Sequence, residues 1–248
     1  MILVKEINAG VVIIGNEILS GKTVDTNSAF LAKELRKLGV SLRRIAVIPD
    51  EMDVISETVA AFHSLYDIVF TSGGVGPTHD DITIEGVARA FGRQVIRHPV
   101  LEKKLRAYLN GRPANEAYLK MAEAPEGSEL IEDGDVRFPT IKTENVYILP
   151  GIPDVFRQKF SAMKGRFAGA PYYLRVLYTS EYESVIAGYL NSTLSEFPDL
   201  MLGSYPKNND PQYRVKVTLE SRDESYLNRA FQHLVKLLPK GCVVKTEG

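Results

Sequence analysis

The run Thr71-Ser72-Gly73-Gly74-Val75-Gly76-Pro77-Thr78-His79-Asp80-Asp81 constrains this chain more than any other segment. A strand-like stretch, Asp67-Ile68-Val69-Phe70, leads into it, and a helix-like stretch from Ile82 to Phe91 leads out. Three glycines within four residues let the backbone approach a ligand closely and turn its N–H groups inward. Such a nest at a helix N-terminus suits a phosphate or another anion. Two carboxylates follow at once, which fits a phosphorylated ligand with a divalent cation beside it. A plain glycine turn with an aspartate cap accounts for the same residues without a ligand.

Two further junctions favour a ligand. Near the N-terminus, Val11-Val12-Ile13-Ile14 ends in Gly15-Asn16-Glu17-Ile18-Leu19-Ser20-Gly21, followed by Asp25-Thr26-Asn27-Ser28. Later, Val146-Tyr147-Ile148-Leu149 ends in Pro150-Gly151-Ile152-Pro153. Strands of one parallel sheet bring their C-terminal ends to one edge, where open α/β folds bind ligands. Three special strand ends on one edge fit a single site better than three unrelated turns.

The order of elements supports a parallel sheet. Residues 9–14 are continuously apolar, as in a strand buried on both faces. Asp25 or Thr26 can cap a helix whose inner face is Leu31, Leu35 and Leu38, with Gly39 ending it. A strand near 42–48 follows. A helix starting at Asp50 then carries Ile55, Val59 and Phe62 inward, and the strand 67–71 and helix 82–91 complete βαβαβα. Helical patterns recur at 99–110 and 115–123, a hairpin or irregular excursion occupies 128–145, and a strand at 146–149 returns to the sheet. The fold class is therefore α/β, a parallel-sheet three-layer α/β/α sandwich over residues 1–167. Composition shifts at Gly165-Arg166-Phe167-Ala168-Gly169-Ala170-Pro171, and residues 168–248 read as a smaller α+β domain. Its strands and helices, at 172–179, 182–195, 200–205, 213–219, 224–238 and 241–245, follow the βαββαβ ferredoxin-like plan.

Composition narrows the partners. With 30 Lys and Arg against 31 Asp and Glu, the net charge of −1 draws the chain neither to nucleic acid nor to an anionic membrane. An RNA-binding sheet needs aromatics on its central strands, and 213–219 offers only Tyr213. No 18-residue apolar run exists for a membrane span, and no signal-peptide pattern precedes the first strand. Cys242 is the sole cysteine, so no internal disulfide can form, and a cytoplasmic location is expected.

The motifs G-N-E-I-L-x-G, D-T-N, S-G-G-V-G-P-T-H-D-D-I-T and L-P-G-I-P resemble the molybdopterin-binding-domain family, which includes MoaB, MogA and the N-terminal domain of CinA. The likeness is greatest to the molybdopterin-binding-like N-terminal domain of eukaryotic FAD synthase, which shares H-D-D, Arg137-Phe138-Pro139 and L-P-G-I-P. It covers nearly the whole chain, including Leu202-Gly203-Ser204-Tyr205-Pro206. The resemblance implies a small-molecule nucleotide or pterin ligand and a homo-oligomer. It also implies metal-dependent hydrolysis of FAD or ADP-ribose type pyrophosphates, with Mg²⁺, Mn²⁺ or Co²⁺ and sometimes potassium. Molybdopterin binding or adenylylation is the alternative, and a non-catalytic ligand-binding module is a third. Nothing in the sequence resembles the synthetase domain of FAD synthase or the deamidase domain of CinA, so neither of those activities is expected.

Carried over by position, the anion loop is Ser72, Gly73, Gly74, Gly76 and Pro77, with the Thr78 hydroxyl beside it. Asp80 and Asp81 match the family's acidic pair, linked there to metal binding or catalysis. Adjacent carboxylates cannot both point one way, so one enters the site and the other caps the helix; Asp81 is the favoured inward group. Thr83 either bonds that carboxylate or serves the first helical turn. Glu17, just past the first strand and Gly15, is the third carboxylate proposed for catalysis and metal. Asn16 and Asn27 either read a ligand edge through their amides or make turns. Gly151 and Pro153 shape the third junction. His79 is a metal ligand, a phosphate contact or a bystander, whereas His63, His98 and His233 read as surface or core residues.

Overall fold

The computed structural model describes residues 6–110, 112–134, 136–207 and 211–248. The chain divides into two compact units, the first running through Gly169 and the second starting at Ala170.

In the first unit, β1 (Asn8–Ile14) leads through α1 (Asn16–Leu19) and α2 (Asn27–Lys37) to β2 (Ser41–Ile48). The chain continues through α3 (Met52–Leu65), β3 (Ile68–Ser72), α4 (Thr83–Ala90), β4 (Val95–Arg97), α5 (Pro99–Leu109) and α6 (Glu116–Lys120). Then come β5 (Glu123–Pro125), β6 (Glu129–Ile131), β7 (Thr140–Thr143), β8 (Val146–Leu149) and α7 (Pro153–Met163). The main sheet has the order β2-β1-β3-β8-β7-β6. Its first four strands are parallel, as expected.

Alternation along β1 builds the three layers. Val11 and Ile13 face a core with Leu31 and Leu35 of α2 and Phe156 and Phe160 of α7. Val12 and Ile14 face the opposite core, with Ile55 and Val59 of α3 and Ile84 and Val87 of α4. The two-residue period of the strand therefore assigns each helix pair to one face.

The structure settles one open reading and corrects others. The stretch 128–145 is the hairpin of the two alternatives: β6 and β7 pair antiparallel, and they extend the sheet, antiparallel to β8. The main sheet is thus mixed, although mostly parallel. The helix expected to reach residue 123 stops at Lys120, and β5 pairs antiparallel with β4 in a separate ribbon. Strands this short contain too few residues to display a period of two. Finally, α3 starts at Met52 rather than at Asp50; Glu51 holds the N-cap position, with no side-chain capping bond.

The second unit comprises β9 (Tyr173–Thr179), α8 (Glu183–Glu196), β10 (Met201–Pro206), β11 (Val215–Ser221), α9 (Glu224–Leu237) and β12 (Val243–Glu247). Its antiparallel sheet has the order β10-β11-β9-β12, as the βαββαβ plan requires. Val215, Val217 and Leu219 alternate inward along β11 against Leu227 and Leu234 of α9 and Ile186 of α8. Cys242 is buried in this core, as a small apolar residue would be.

Candidate functional site

Strand register brings the three junctions to one edge. Ile13 pairs with Ser72, and Ser72 pairs with Leu149, so Gly15, Gly73 and the Pro150-Gly151 turn leave neighbouring strand ends. Asn27, the first residue of α2 and 4% exposed, ties these ends together. Its Nδ2 donates to Ser72 Oγ at 2.9 Å and to the Gly151 carbonyl at 2.8 Å. Both amide donors of Asn27 are therefore spent inside the protein, and its buried Oδ1 has no partner among the described residues. Asn16 is exposed, and its backbone N–H donates to Asp50 Oδ2 at 2.8 Å.

The glycine loop is built by close approach. Gly73 and Gly74 have φ of 108° and 63°, in the region that favours glycine. A Cβ on Gly73 would lie 2.0 Å from the Ile14 carbonyl oxygen, and one on Gly76 would lie 2.5 Å from Asp81 Oδ2. Thr83 bonds neither carboxylate; its buried hydroxyl donates to the Gly73 carbonyl at 2.9 Å. Its backbone N–H donates to the Gly74 carbonyl at 2.9 Å. These bonds fix the carbonyl side of the loop. On the other side, the N–H groups of Gly74, Val75 and Gly76 have no protein acceptor among the described residues. The same holds at the start of α7 for Gly151, Ile152, Asp154 and Val155, with Pro153 at the first helical position. Two groups of open donors thus emerge from adjacent strand ends, and such donors suit an anion.

The carboxylates are placed differently from expectation. Neither Asp80 nor Asp81 caps α4, because that helix starts at Thr83 after Ile82, too far along for either side chain. Asp81 folds back into the turn and accepts through Oδ2 from Thr78 N, at 2.8 Å, and from the Thr78 hydroxyl. Its Oδ1 makes no hydrogen bond within the described residues. Asp80 projects outward, 3.9 Å from His79 Nδ1. The nearby Thr78 hydroxyl, then the backbone N–H of Asp80, hold its carboxyl below the usual range. His79 is almost fully exposed. Glu17 is exposed on α1, its carboxylate folded over Gly15, where a Cβ would sit 2.6 Å from Oε1. Among the described residues, no three His, Cys, Asp or Glu side chains converge as a metal-holding group. Glu17, Asp80 and Asp81 thus follow the strand ends at the glycine-lined edge without forming a cage of their own.

Three residues that shape this edge escaped the sequence reading as site residues. Asp25 Oδ1 accepts the backbone N–H groups of Asn27 and Ser28, at 2.9 and 3.2 Å, and so orients Asn27. Its position before a helix was legible; its consequence for Asn27 was not. Asp50 holds Asn16 from 34 residues away. Lys120 on α6 reaches the Thr78 carbonyl at 3.1 Å, across 42 residues. With Gly76, Asp81, Ile84, Met121 and Glu123, it lines a shallow depression beside the turn.

Known proteins resemble this chain in sequence and fold. Residues 10–167 match the family described as "probable molybdopterin binding domain". The chain belongs to that family. In this molybdopterin-binding-domain protein, residues 171–247 match a second family, the FAD synthase middle domain. A protein of Archaeoglobus fulgidus is 36% identical over 92% of this chain and 96% of its own length. A "probable FAD synthase" of Caenorhabditis elegans is 34% identical over 93% of this chain. This chain spans about half, 50%, of that FAD synthase. The crystal structure of CinA from Thermoplasma acidophilum, a protein described as of unknown function, superposes with a TM-score of 0.60. It is 32% identical and covers 65% of this chain and 98% of its own. Among the described residues, no helix is long and apolar enough to cross a membrane.

Proposed function

We propose that the chain is a divalent-metal-dependent hydrolase of nucleotide pyrophosphates of the FAD or ADP-ribose type. The observation that carries this reading is the pair of open donor groups, Gly74–Gly76 and the start of α7, set side by side by Asn27. A pyrophosphate presents two linked anionic groups, and two donor sets on adjacent strand ends offer one set for each. The likeness to FAD synthases over both units supports a flavin or adenine nucleotide.

The donor set fits a hard cation. Asp80 is held ionised, Asp81 keeps one oxygen free, and Glu17 stands on the same edge. Mg²⁺ and Mn²⁺ commonly take only one or two protein carboxylates and complete their shell with water and phosphate oxygens. Carboxylates that do not form a cage by themselves suit that habit. A cation bound there neutralises phosphate charge and makes a bound water more acidic. The chain's own share is to hold the phosphates by backbone N–H groups and to anchor the cation through Asp80, Asp81 and Glu17. Water then adds across the P–O–P bond: its oxygen joins one phosphorus, the bridging oxygen leaves with the other, and two phosphomonoesters result.

Molybdopterin binding is the second reading, favoured by the family description over residues 10–167. The same amide donors would hold the phosphate of a pterin. A homo-oligomer belongs to the proposal as well, with light scattering as its test. So does a reducing cytoplasmic setting, in keeping with the lone buried Cys242.

The deciding experiment incubates purified protein with FAD, ADP-ribose and NAD, each with Mg²⁺, Mn²⁺ or Co²⁺, with and without potassium. Metal-dependent release of phosphomonoesters is expected. No turnover together with tight molybdopterin binding would transfer the site to the second reading.

A further inference from the structure

The turn carrying Asp80 and Asp81 is held from outside by the ammonium of Lys120. Lys120 Nζ donates to the Thr78 carbonyl at 3.1 Å and pairs with Glu85 Oε1 of α4 at 3.4 Å. Both side chains are about three-quarters buried, at 24% and 28% exposure. Glu85 Oε2 is buried without a partner among the described residues, so the ammonium is that carboxylate's main compensation. Glu123 faces the same space; burial, then the charge of Glu85, raise its carboxyl above the ordinary range. One ammonium thus stands among acidic groups behind the turn, with Arg97 and Glu116 paired to each other nearby at 2.9 Å.

The position of Lys120 is itself fixed. Asn115 caps α6 by accepting from Tyr118 N at 2.9 Å, and Leu119 buries that helix against Leu101 and Leu105 of α5. Within the turn, the other hydrogen bonds are local: Asp81 N to Thr78 O, Ile82 N to Asp80 O, and Thr78 to Asp81. The Thr78–His79 peptide is trans, so its N–H points opposite to its carbonyl. A carbonyl drawn toward α6 aims the His79 N–H away from it, and that N–H has no acceptor among the described residues.

We propose that Lys120 is a positioning residue: by clamping the Thr78 carbonyl to α6 and α4, it sets the direction in which the turn presents the His79 N–H and the Asp80 and Asp81 carboxylates. The catalytic part of this proposal rests on the hydrolase reading, whereas the clamp stands independently of it. Lys120 does not touch the reacting atoms; it acts through the turn.

The test compares wild type, Lys120→Met and Lys120→Arg. Amide hydrogen exchange is read at Asp81, Ile82 and Thr83, alongside melting temperature and the kinetics of ADP-ribose hydrolysis with Mn²⁺. In Lys120→Met, exchange in the turn should rise at least fivefold while remote amides of β1 and β3 stay as in wild type. Its kcat should fall about tenfold with KM changed less than twofold, the pattern of a group that acts through the transition state. Lys120→Arg, still a cationic donor, should restore most of both. Unchanged exchange in the turn overturns the clamp, whatever the turnover. Faster exchange with kcat untouched in an active enzyme overturns the catalytic role. If wild type hydrolyses nothing, the hydrolase reading falls with the catalytic part, and exchange alone decides the clamp.

Discussion

The helix starts of this molecule fall into two kinds. At α5, α6 and α9 the side chains of His98, Asn115 and Asp223 accept backbone N–H groups of the first turn. At α4 and α7, which follow β3 and β8 on the glycine-lined edge, no side chain caps the helix. The α3 and α8 helices also lack a side-chain cap; just before α8, Thr179 Oγ1 accepts the N–H of Glu181. A helix start without a cap exposes N–H groups that something else must satisfy. On the glycine-lined edge, the proposed anion would do what Asp223 does for α9. The contrast separates helix starts finished by a side chain from those whose first-turn N–H groups stay open, and the proposed anion concerns only the open starts beside the glycine loop.

The largest expected effect tests whether the open edge depends on close backbone approach. Gly73→Ala places a Cβ 2.0 Å from the Ile14 carbonyl at a φ of 108°. It should cost about 3 kcal/mol in urea unfolding, from overpacking and a strained backbone together. Gly188→Ala, in α8 where a Cβ would meet nothing within 4 Å beyond the backbone of its own helix, should instead gain roughly 0.5–1 kcal/mol through helix propensity. Equal shifts at the two glycines would remove the steric account of the loop. Next in size, Asp80→Asn, Asp81→Asn and Glu17→Gln should each lower pyrophosphate hydrolysis by on the order of 10²-fold, the scale for losing one charge-stabilising group. Melting temperatures should barely move for Asp80→Asn, whose side chain projects into solvent. Wild-type turnover in all three would refute the catalytic assignment.

How much was legible depended on sequence distance. The parallel core followed from apolar runs at 9–14 and 146–149 and from the Leu31–Leu35 and Ile55–Val59 faces, all of which are local patterns. The glycine loop was legible because Gly73 and Gly74 answer a local backbone demand. The role of Asn27 was not, since its partners Ser72 and Gly151 lie 45 and 124 residues away. An asparagine before a helix reads as turn chemistry or as a ligand reader, and no local pattern shows its amide spent as a tie. The capping role expected of one aspartate failed by one or two residues, since Ile82 holds the N-cap position of α4, a typical error at helix boundaries. Lys120 was invisible for the same reason as Asn27: its ammonium acts on a carbonyl that only the fold brings near.

A smaller effect separates the two ends of α7. While its start is open, its middle is anchored: Lys159 Nζ donates to the carbonyls of Phe138 and Pro139, 2.7 Å from each. Burial lowers the Lys159 pKa to about 8 from 10.5. Between those values the unfolded chain holds a proton that the folded chain has released, so stability rises with pH across the window. Below about pH 8 both states are charged and the contribution is at its minimum. The two carbonyl acceptors favour the ammonium and offset part of its desolvation, so a gain of about 1–2 kcal/mol is expected between pH 7.5 and 10. Urea unfolding of wild type and Lys159→Met over that range measures it. A flat difference between the two proteins would show that Lys159 does not titrate in this way.

The smallest effect probes the contrast most directly, by giving the open helix the cap that α9 already has. Ile152 occupies the N-cap position of α7 and is 65% exposed, so Ile152→Asp meets no packing penalty there. Its carboxylate can accept from Asp154 N or Val155 N, which have no acceptor among the described residues. A new cap of this type should raise stability by about 0.5–1 kcal/mol in urea unfolding. The same carboxylate would occupy the donors and repel a phosphate at that helix start, weakening ADP-ribose binding by roughly fivefold, about 1 kcal/mol. Asp223→Ala in the second unit is the mirror experiment: it should lower the melting temperature by a few degrees and leave ligand affinity unchanged. A helix start reserved for a ligand trades stability for affinity when capped, whereas one closed by the chain has only stability to lose. If Ile152→Asp gains stability without losing affinity, the start of α7 is merely solvated, and the open donors of Gly74–Gly76 alone must account for anion binding.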